Sequence, residues 1–375
     1  MKTDPKKISI CILMGIFLLG GVITLAAPKK DFSENQNRYL KKPPVFSLSK
    51  YLSGDFSENA EEYLSDHFIG SETAISAATD MDLCMGHKAV NGIYILKDRL
   101  VQKIDLPAES GIETGTGSLN AVAAGTDTPC FLMLVPTQAE IYRDELPKNA
   151  PNPDQREYIE KVSEKLEDIS VIDVYSSLQA AKKDYIYYRT DHHWTTKGAY
   201  IAYQCAAKRL GYEALPENSF DFRHASNDFR GTFYSRVLYD KIKPDSIDLY
   251  IDSSGRRREP DVYIYSEAGA DPEKHSGMYF MEYLEKKDKY SVFFGTNQPM
   301  ITIRTGNEGG RLLIFKDSYA HCFVPFLAEH YSEITMLDTR YIQIPYTEII
   351  DPAEYDVILF VYNVSTFMEG VKIRS

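Results

Sequence analysis

The chain of 375 residues lacks several of the features that announce common protein classes. Its five cysteines include no C-x-x-C pair, which removes the usual zinc-ribbon and dithiol redox motifs. Cys84, Cys130, Cys205 and Cys322 are widely spaced. Four cysteines allow three pairings, and spacing does not choose among these and free, buried thiols. There is no extended Lys/Arg-rich run, and 42 basic residues face 54 acidic ones for a formal charge of -12. That balance excludes nucleic acid as the main partner. No internal repeat, low-complexity tract or second long apolar run is present. There is one Trp, but 27 Tyr and 18 Phe, and 43% of residues are hydrophobic, enough to offset the entropy of ordering one large or two modest domains. A Tyr-rich, acidic surface is compatible with a neutral or sugar-like ligand.

The one long apolar run, residues 8–27, is uncharged and follows Lys2, Lys6 and Lys7. Twenty such residues span a bilayer, and basic residues before them favour a cytoplasmic N-terminus. Residues 1–30 are therefore expected to be a signal anchor, with a cleaved signal peptide as the alternative given Ala26 and Ala27. The expected location is the cell membrane, single-pass, with the main domain extracytoplasmic.

Residues 31–88 are polar and helical in pattern, a stalk and packing segment in which Tyr51, Leu52, Phe56, Tyr63, Leu64 and Phe68 suggest a buried stripe. The remainder, 89–375, alternates strand-like and helix-like stretches. Apolar runs at 93–96, 131–135, 171–174, 311–315, 333–337 and 356–361 are typical of strands covered on both faces, and a helix-period stretch at 155–168 makes a βαβ unit. The fold class is α/β, a parallel sheet flanked by helices. Residues 217–306 differ, with alternating strands at 261–265 and 300–304, and are expected to be a β-rich insertion.

Two short segments carry chemistry. Lys316-Asp317-Ser318-Tyr319-Ala320 follows a strongly apolar strand and precedes a helix, so Ser318 sits at a strand end, where α/β folds place ligands. The N–H groups opening that helix are candidate oxyanion donors. The alternative is that Ser318 is an N-cap. In Asp191-His192-His193-Trp194-Thr195, an extended backbone would put Asp191 and His193 on one face and His192 on the other. A carboxylate beside an imidazole fixes its tautomer and stabilises the imidazolium, as a serine's general base requires. Thr195 or Thr196 would cap the next helix and Gly211 would end it. A metal site from Asp191 and the two histidines is the alternative, but adjacent His side chains seldom converge on one ion and no further ligand stands out; no metal or cofactor is expected.

Asp191-His192-His193-Trp194 resembles the signature of the bacterial DHHW family, and Asp191, His193 and Trp194 also match the D-x-H-W pattern of SGNH-hydrolase-like alginate O-acetylation proteins. Further blocks are similar in order: Asn37-Arg38-Tyr39-Leu40, Glu62-Tyr63-Leu64-Ser65-Asp66-His67-Phe68, Val135-Pro136-Thr137, Gly231-Thr232-Phe233-Tyr234-Ser235, Asp317-Ser318-Tyr319 and Leu337-Asp338-Thr339-Arg340-Tyr341. The resemblance implies an extracytoplasmic SGNH-like domain with Ser318 as nucleophile, His193 as base and Asp191 as its orienting acid. It also implies a polysaccharide acceptor and a membrane-bound O-acyltransferase as the source of the acetyl group. Tyr319, Asn363 and His192 are the candidates for oxyanion or acceptor binding, Asn363 because SGNH enzymes commonly use an Asn there. The sequence departs from the pattern at Lys316, where the G-D-S block has Gly, and at His192, where the alginate proteins carry a smaller polar residue. Competing functions are a carbohydrate acetyl esterase and a non-catalytic, membrane-tethered polysaccharide-binding scaffold.

Overall fold

The computed structural model describes residues 14–15, 21, 23–24, 28–105, 109–252, 259–267 and 270–374. The anchor expected over residues 8–27 lies mostly outside them; among the described residues no helix is long and apolar enough to cross a membrane. The chain forms two compact units, Met1–Asn91 with Tyr234–Lys241, and Gly92–Phe233 with Ile242–Ser375.

The first unit contains the helices Leu48–Ser53, Asp55–His67 and Ser71–Cys84. Ser47 caps the first, its hydroxyl accepting from Lys50 N–H at 3.2 Å. The apolar stripe expected here is not a core. Leu52 is 77% exposed and Leu64 50%, and neither of the first two helices buries a residue. Spacing made the stripe; burial needs a second layer over it.

The second unit is built on an eight-stranded sheet, numbered here β1 Cys130–Val135, β2 Ile169–Val171, β3 Asp261–Tyr265, β4 Glu273–Ser276, β5 Met300–Arg304, β6 Arg311–Lys316, β7 Glu333–Leu337 and β8 Val357–Asn363. Its order is β4-β3-β5-β7-β6-β8-β1-β2. The five strands from β7 to β2 run parallel, and β5, β3 and β4 add to them antiparallel. This is a mixed α/β fold with a large, mostly parallel sheet. In β6 and β8 every residue after the first is buried, which is why both are continuous apolar runs. Helix α1, Gln155–Ser163, connects β1 to β2; Asp154 caps it by accepting from Glu157 N–H at 2.9 Å. Both α1 and β2 end short of their expected limits, and a left-handed Asp168 (φ 53°) turns the chain between them.

The region expected as an insertion divides in two. Phe220–Phe229 and Asp245–Asp252 form a separate antiparallel pair, whereas β3 and β5 continue the main sheet in register with β7. β3 buries only Val262, whereas β5, one strand further in, buries its first four residues.

Candidate active site

The turn that carries Ser318 follows β6, between the parallel strands β7 and β8. Phe315 pairs with Leu337 of β7 and Lys316 with Val361 of β8, so Ser318 emerges just beyond the carboxyl edge of the sheet. Asp317 folds the turn. Its buried carboxylate accepts from Tyr319 N–H at 2.9 Å, from Asn363 N–H at 2.8 Å and from the Asn363 side-chain amide at 2.6 Å. Burial raises the Asp317 pKa, against the Asn363 hydrogen bonds, which favour the carboxylate. Helix α2, Ala320–Leu327, then leaves the turn. Ser318 is not its cap: its hydroxyl lies 2.7 Å from His193 Nε2.

The second segment is a bend, not the extended strand expected from its spacing. Asp191 Oδ1 accepts both His193 N–H at 3.0 Å and His193 Nδ1–H at 2.6 Å. Turn chemistry, a carboxylate bonding the backbone two residues on, therefore brings together the pair that two-residue alternation suggested for another reason. The bend is hung from Asp245, a fully buried carboxylate that accepts Arg189 N–H at 2.7 Å, Thr190 N–H at 2.8 Å and the Thr190 hydroxyl at 2.5 Å. Asp191 Oδ2 accepts from Thr232 N–H at 2.8 Å and from the Thr232 hydroxyl at 2.9 Å. Burial alone would raise the Asp191 pKa, but His192, His193 and these hydrogen bonds outweigh it and hold the carboxyl well below the usual carboxylate range.

The two segments are stitched to each other at three points. Besides the Ser318–His193 contact, Trp194 donates its indole N–H to Tyr319 O at 3.0 Å, and Tyr319 donates its hydroxyl to His192 O. Thr195, accepting from Gly198 N–H at 3.3 Å, starts the helix Thr196–Leu210, and left-handed Gly211 ends it. Gly231 is sterically required here. A Cβ at that position would lie 2.3 Å from Asp191 Oδ2.

The structure thus brings Asp191, His193 and Ser318 into one unbroken hydrogen-bonded chain, with the carboxylate and imidazole buried and the hydroxyl partly exposed. The arrangement can pass a proton from hydroxyl to imidazole while an ionised carboxylate stabilises the resulting cation.

A sequence model of the DHHW protein family matches residues 116–337, more than half of the chain. The chain belongs to the DHHW family. It is similar to the structure of a DHHW family protein from Eubacterium siraeum, with 25% identity, 76% of this chain and 97% of that one covered, and a TM-score of 0.62. The structure of Bacillus cereus PatB1 with a sulfonyl adduct gives 19% identity, coverage of 75% and 98%, and a TM-score of 0.62, a likeness of fold. The O-acetyltransferase domain of Pseudomonas putida AlgJ matches at 14% identity over 74% of this chain and 92% of that one, with a TM-score of 0.45. No curated protein matches by sequence.

Two of the candidate residues of this DHHW protein have other work. Asn363 spends both amide hydrogens, one on Asp317 and the other on Thr366 Oγ1 at 2.8 Å, while its carbonyl accepts Thr366 N–H at 3.0 Å. It caps the helix Val364–Met368 and braces the turn, so it has no donor left for an oxyanion. Tyr319 is 1% exposed, with its N–H given to Asp317 and its hydroxyl to His192 O. The first helical N–H groups are also taken, Ala320 by Asp317 O and His321 by Ser318 O. From Asp317 to His321 the N–H without a partner among the described residues is that of Ser318 itself.

His192 does not point away, as an extended segment would require. Its ring centroid is 3.7 Å from that of His193 and its Nδ1 is 2.9 Å from Thr232 Oγ1. Burial, then the neighbouring His193, pushes its pKa down to about 4. Asp191, His192 and His193 offer ligand atoms within 4.8 Å of one another. Both nitrogens of His193 are already engaged, however, so an ion there would have to displace Asp191 or Ser318.

Sequence reasoning missed Tyr290, whose ring stacks on His193 and whose hydroxyl donates to Ser318 O at 2.9 Å. Its only sequence signal is a Tyr within a polar stretch, one of 27. It also missed what surrounds Lys316, the departure from the G-D-S block. Lys316 is 1% exposed, with Nζ 2.7 Å from His321 Nε2 and 3.2 Å from Asp338 Oδ2, and Arg340 completes the cluster at 2.7 Å from the same oxygen. Cys84, Cys130, Cys205 and Cys322 are free thiols.

Proposed function

We propose that this DHHW protein is a serine-dependent O-acetyltransferase that moves an acetyl group onto a cell-surface or secreted polysaccharide. Ser318 Oγ attacks the acetyl carbonyl of the donor as its proton passes to His193 Nε2. The donor's ester bond breaks, and His193 returns the proton to the departing oxygen. An acceptor hydroxyl then gives its proton to His193 and attacks the acetyl-serine, and Ser318 leaves with that proton. Asp191 holds the imidazole tautomer and stabilises its charged form through both half-reactions. The Ser318 N–H is one donor to the tetrahedral oxyanion.

The supporting observation is the continuous Asp191–His193–Ser318 chain at 2.6 and 2.7 Å. The acetyl group and the polysaccharide come from the likeness of Asp191, His193 and Trp194 to the D-x-H-W pattern of alginate O-acetylation proteins. The reading includes a membrane anchor at residues 8–27, an extracytoplasmic site and a membrane-bound O-acyltransferase as acetyl source. Protease added to intact protoplasts should then digest the main domain, and a protected full-length chain would sink the topology.

The decisive experiment offers p-nitrophenyl acetate with and without oligosaccharide acceptors to the wild type and to Ser318→Ala. Acetylated oligosaccharide from the wild type alone supports the transferase. Turnover to acetate without transfer means an esterase, and inertness of a folded protein means a scaffold. The sulfonyl adduct of PatB1 suggests the second probe. A sulfonyl fluoride should label the wild type and leave Ser318→Ala unmodified.

A further inference from the structure

His192 stands beside the reacting groups and takes no part in the steps above. Its protonation pattern follows from its neighbours. Thr232 has one hydroxyl hydrogen, and Asp191 Oδ2, 2.9 Å away and ionised, is the acceptor that claims it. The contact between Thr232 Oγ1 and His192 Nδ1 at 2.9 Å must then run the other way, with the imidazole donating. This fixes the Nδ1–H tautomer and leaves Nε2 as a bare lone pair. No described residue bonds that nitrogen, although the side chain is 33% exposed and its ring lies 3.7 Å from that of His193. Next to a hydroxyl-activating base, the protein therefore presents an acceptor that lacks a donor.

The surroundings narrow what that donor is. Apart from His193, the charged groups acting most strongly on His192 are the carboxylates of Asp191, Asp317 and Asp288. Asp288 lies on the segment that carries Tyr290, and its carboxylate accepts from Ser291 Oγ at 2.7 Å. The site accordingly offers hydrogen-bond acceptors, His192 Nε2 and the Asp288 carboxylate, beside the ionised Asp191, whose Oδ1 lies 3.5 Å from His192 Nδ1. A uronate-type polymer would be repelled, whereas an uncharged polyol donates to both groups without penalty.

Resting on the transferase reading, we infer that His192 is the acceptor-binding residue of this site, its Nε2 receiving a hydroxyl of an uncharged polysaccharide while another hydroxyl of the same acceptor meets His193. The DHHW signature then divides its labour, the second histidine serving the base and the first selecting what the base deprotonates.

The test separates binding from chemistry. In a Ser318→Ala background, cellotetraose and tetragalacturonate are titrated by calorimetry at low salt, with His192 intact or changed to Asn, which keeps a donor toward Thr232 and removes the Nε2 lone pair. Cellotetraose should bind, its Kd should rise by about tenfold or more in the His192→Asn protein, and tetragalacturonate should bind about tenfold more weakly than cellotetraose. With Ser318 present and p-nitrophenyl acetate as donor, His192→Asn should lower the ratio of transfer to hydrolysis by about tenfold, and His192→Gln, which returns an acceptor oxygen near the Nε2 position, should restore part of it. Three results overturn the inference: a cellotetraose Kd that His192→Asn moves by less than about twofold, tighter binding of tetragalacturonate, or no binding of either sugar at about 10 mM to a folded protein. Failure of the transferase reading would look different: either Ser318 takes no sulfonyl label and turns over no ester, or the wild type releases acetate and acetylates no oligosaccharide, whatever the sugar affinities are.

Discussion

The ring of Tyr290 lies 3.7 Å from that of His193, 9° from parallel, while its hydroxyl holds Ser318 O at 2.9 Å. One side chain thereby sets the plane of the His193 ring and holds the backbone at Ser318. Tyr290→Leu should lower kcat for an acetyl ester by about 10–100-fold with little change in KM, since misplacing a reacting group by about an ångström is that costly. Tyr290→Phe, which keeps the stack and loses one hydrogen bond, should fall between. Single-turnover acylation rates check this; a Leu variant that acylates at the wild-type rate would remove Tyr290 from any positioning role.

Gly231 leaves room for the Asp191 carboxylate, which a Cβ would meet at 2.3 Å. Gly231→Ala should push the carboxylate off His193 and cut the sulfonyl-labelling rate of Ser318 by about two orders of magnitude. The crowding itself should cost about 1–3 kcal/mol in urea unfolding. Normal labelling in the variant would mean that Asp191 does not act through His193.

The buried Lys316–Asp338 pair, with the exposed Arg340 on the same carboxylate, predicts an asymmetry between two substitutions. Asp338→Asn strands a fully buried ammonium and should cost about 3–5 kcal/mol, whereas Lys316→Met removes the cation, leaves Asp338 its Arg340 partner and should cost much less. Denaturant midpoints of the two variants decide it. Equal losses would mean that the lysine is held chiefly by its aliphatic stem.

Acid stability should carry the imprint of His192. Its pKa is about 4 in the fold against 6.5 when unperturbed, so between these values the unfolded chain binds a proton that the native protein does not. Stability therefore rises with pH across that window and is lost as pH falls from about 6.5 toward 4. With the ring a third exposed, solvent screening reduces the effect to about 1–2 kcal/mol. Asp191, depressed in the fold, adds its own loss only below the ordinary carboxylate range. The difference between wild-type and His192→Asn unfolding curves at pH 4.5 and 7 measures the histidine's share; parallel curves would contradict it.

The sequence by itself determined the elements whose physics is local or whose burial is two-sided. Runs such as 333–337, 261–265 and 300–304 coincide with strands to the residue, Thr195 and Gly211 bound their helix, and the family blocks marked Asp191, His193 and Ser318. What only the tertiary structure decided is who meets whom. The stripe at 51–68 has helical spacing, yet Leu52 and Leu64 are exposed among the described residues, and spacing cannot supply a layer to bury them. Asp191 reaches His193 through a bend hung on Asp245, more than fifty residues away, not through strand alternation. Asn363 and Tyr319 carry suitable donors, yet those donors are consumed by Asp317 and His192, and hydrogen-bond saturation is a property of the assembled site. Tyr290 lies on the connection from β4 to β5 and Thr232 between the strands Phe220–Phe229 and Asp245–Asp252, and each acquires its role only because its segment folds back onto Ser318 or Asp191, a juxtaposition that no local pattern encodes.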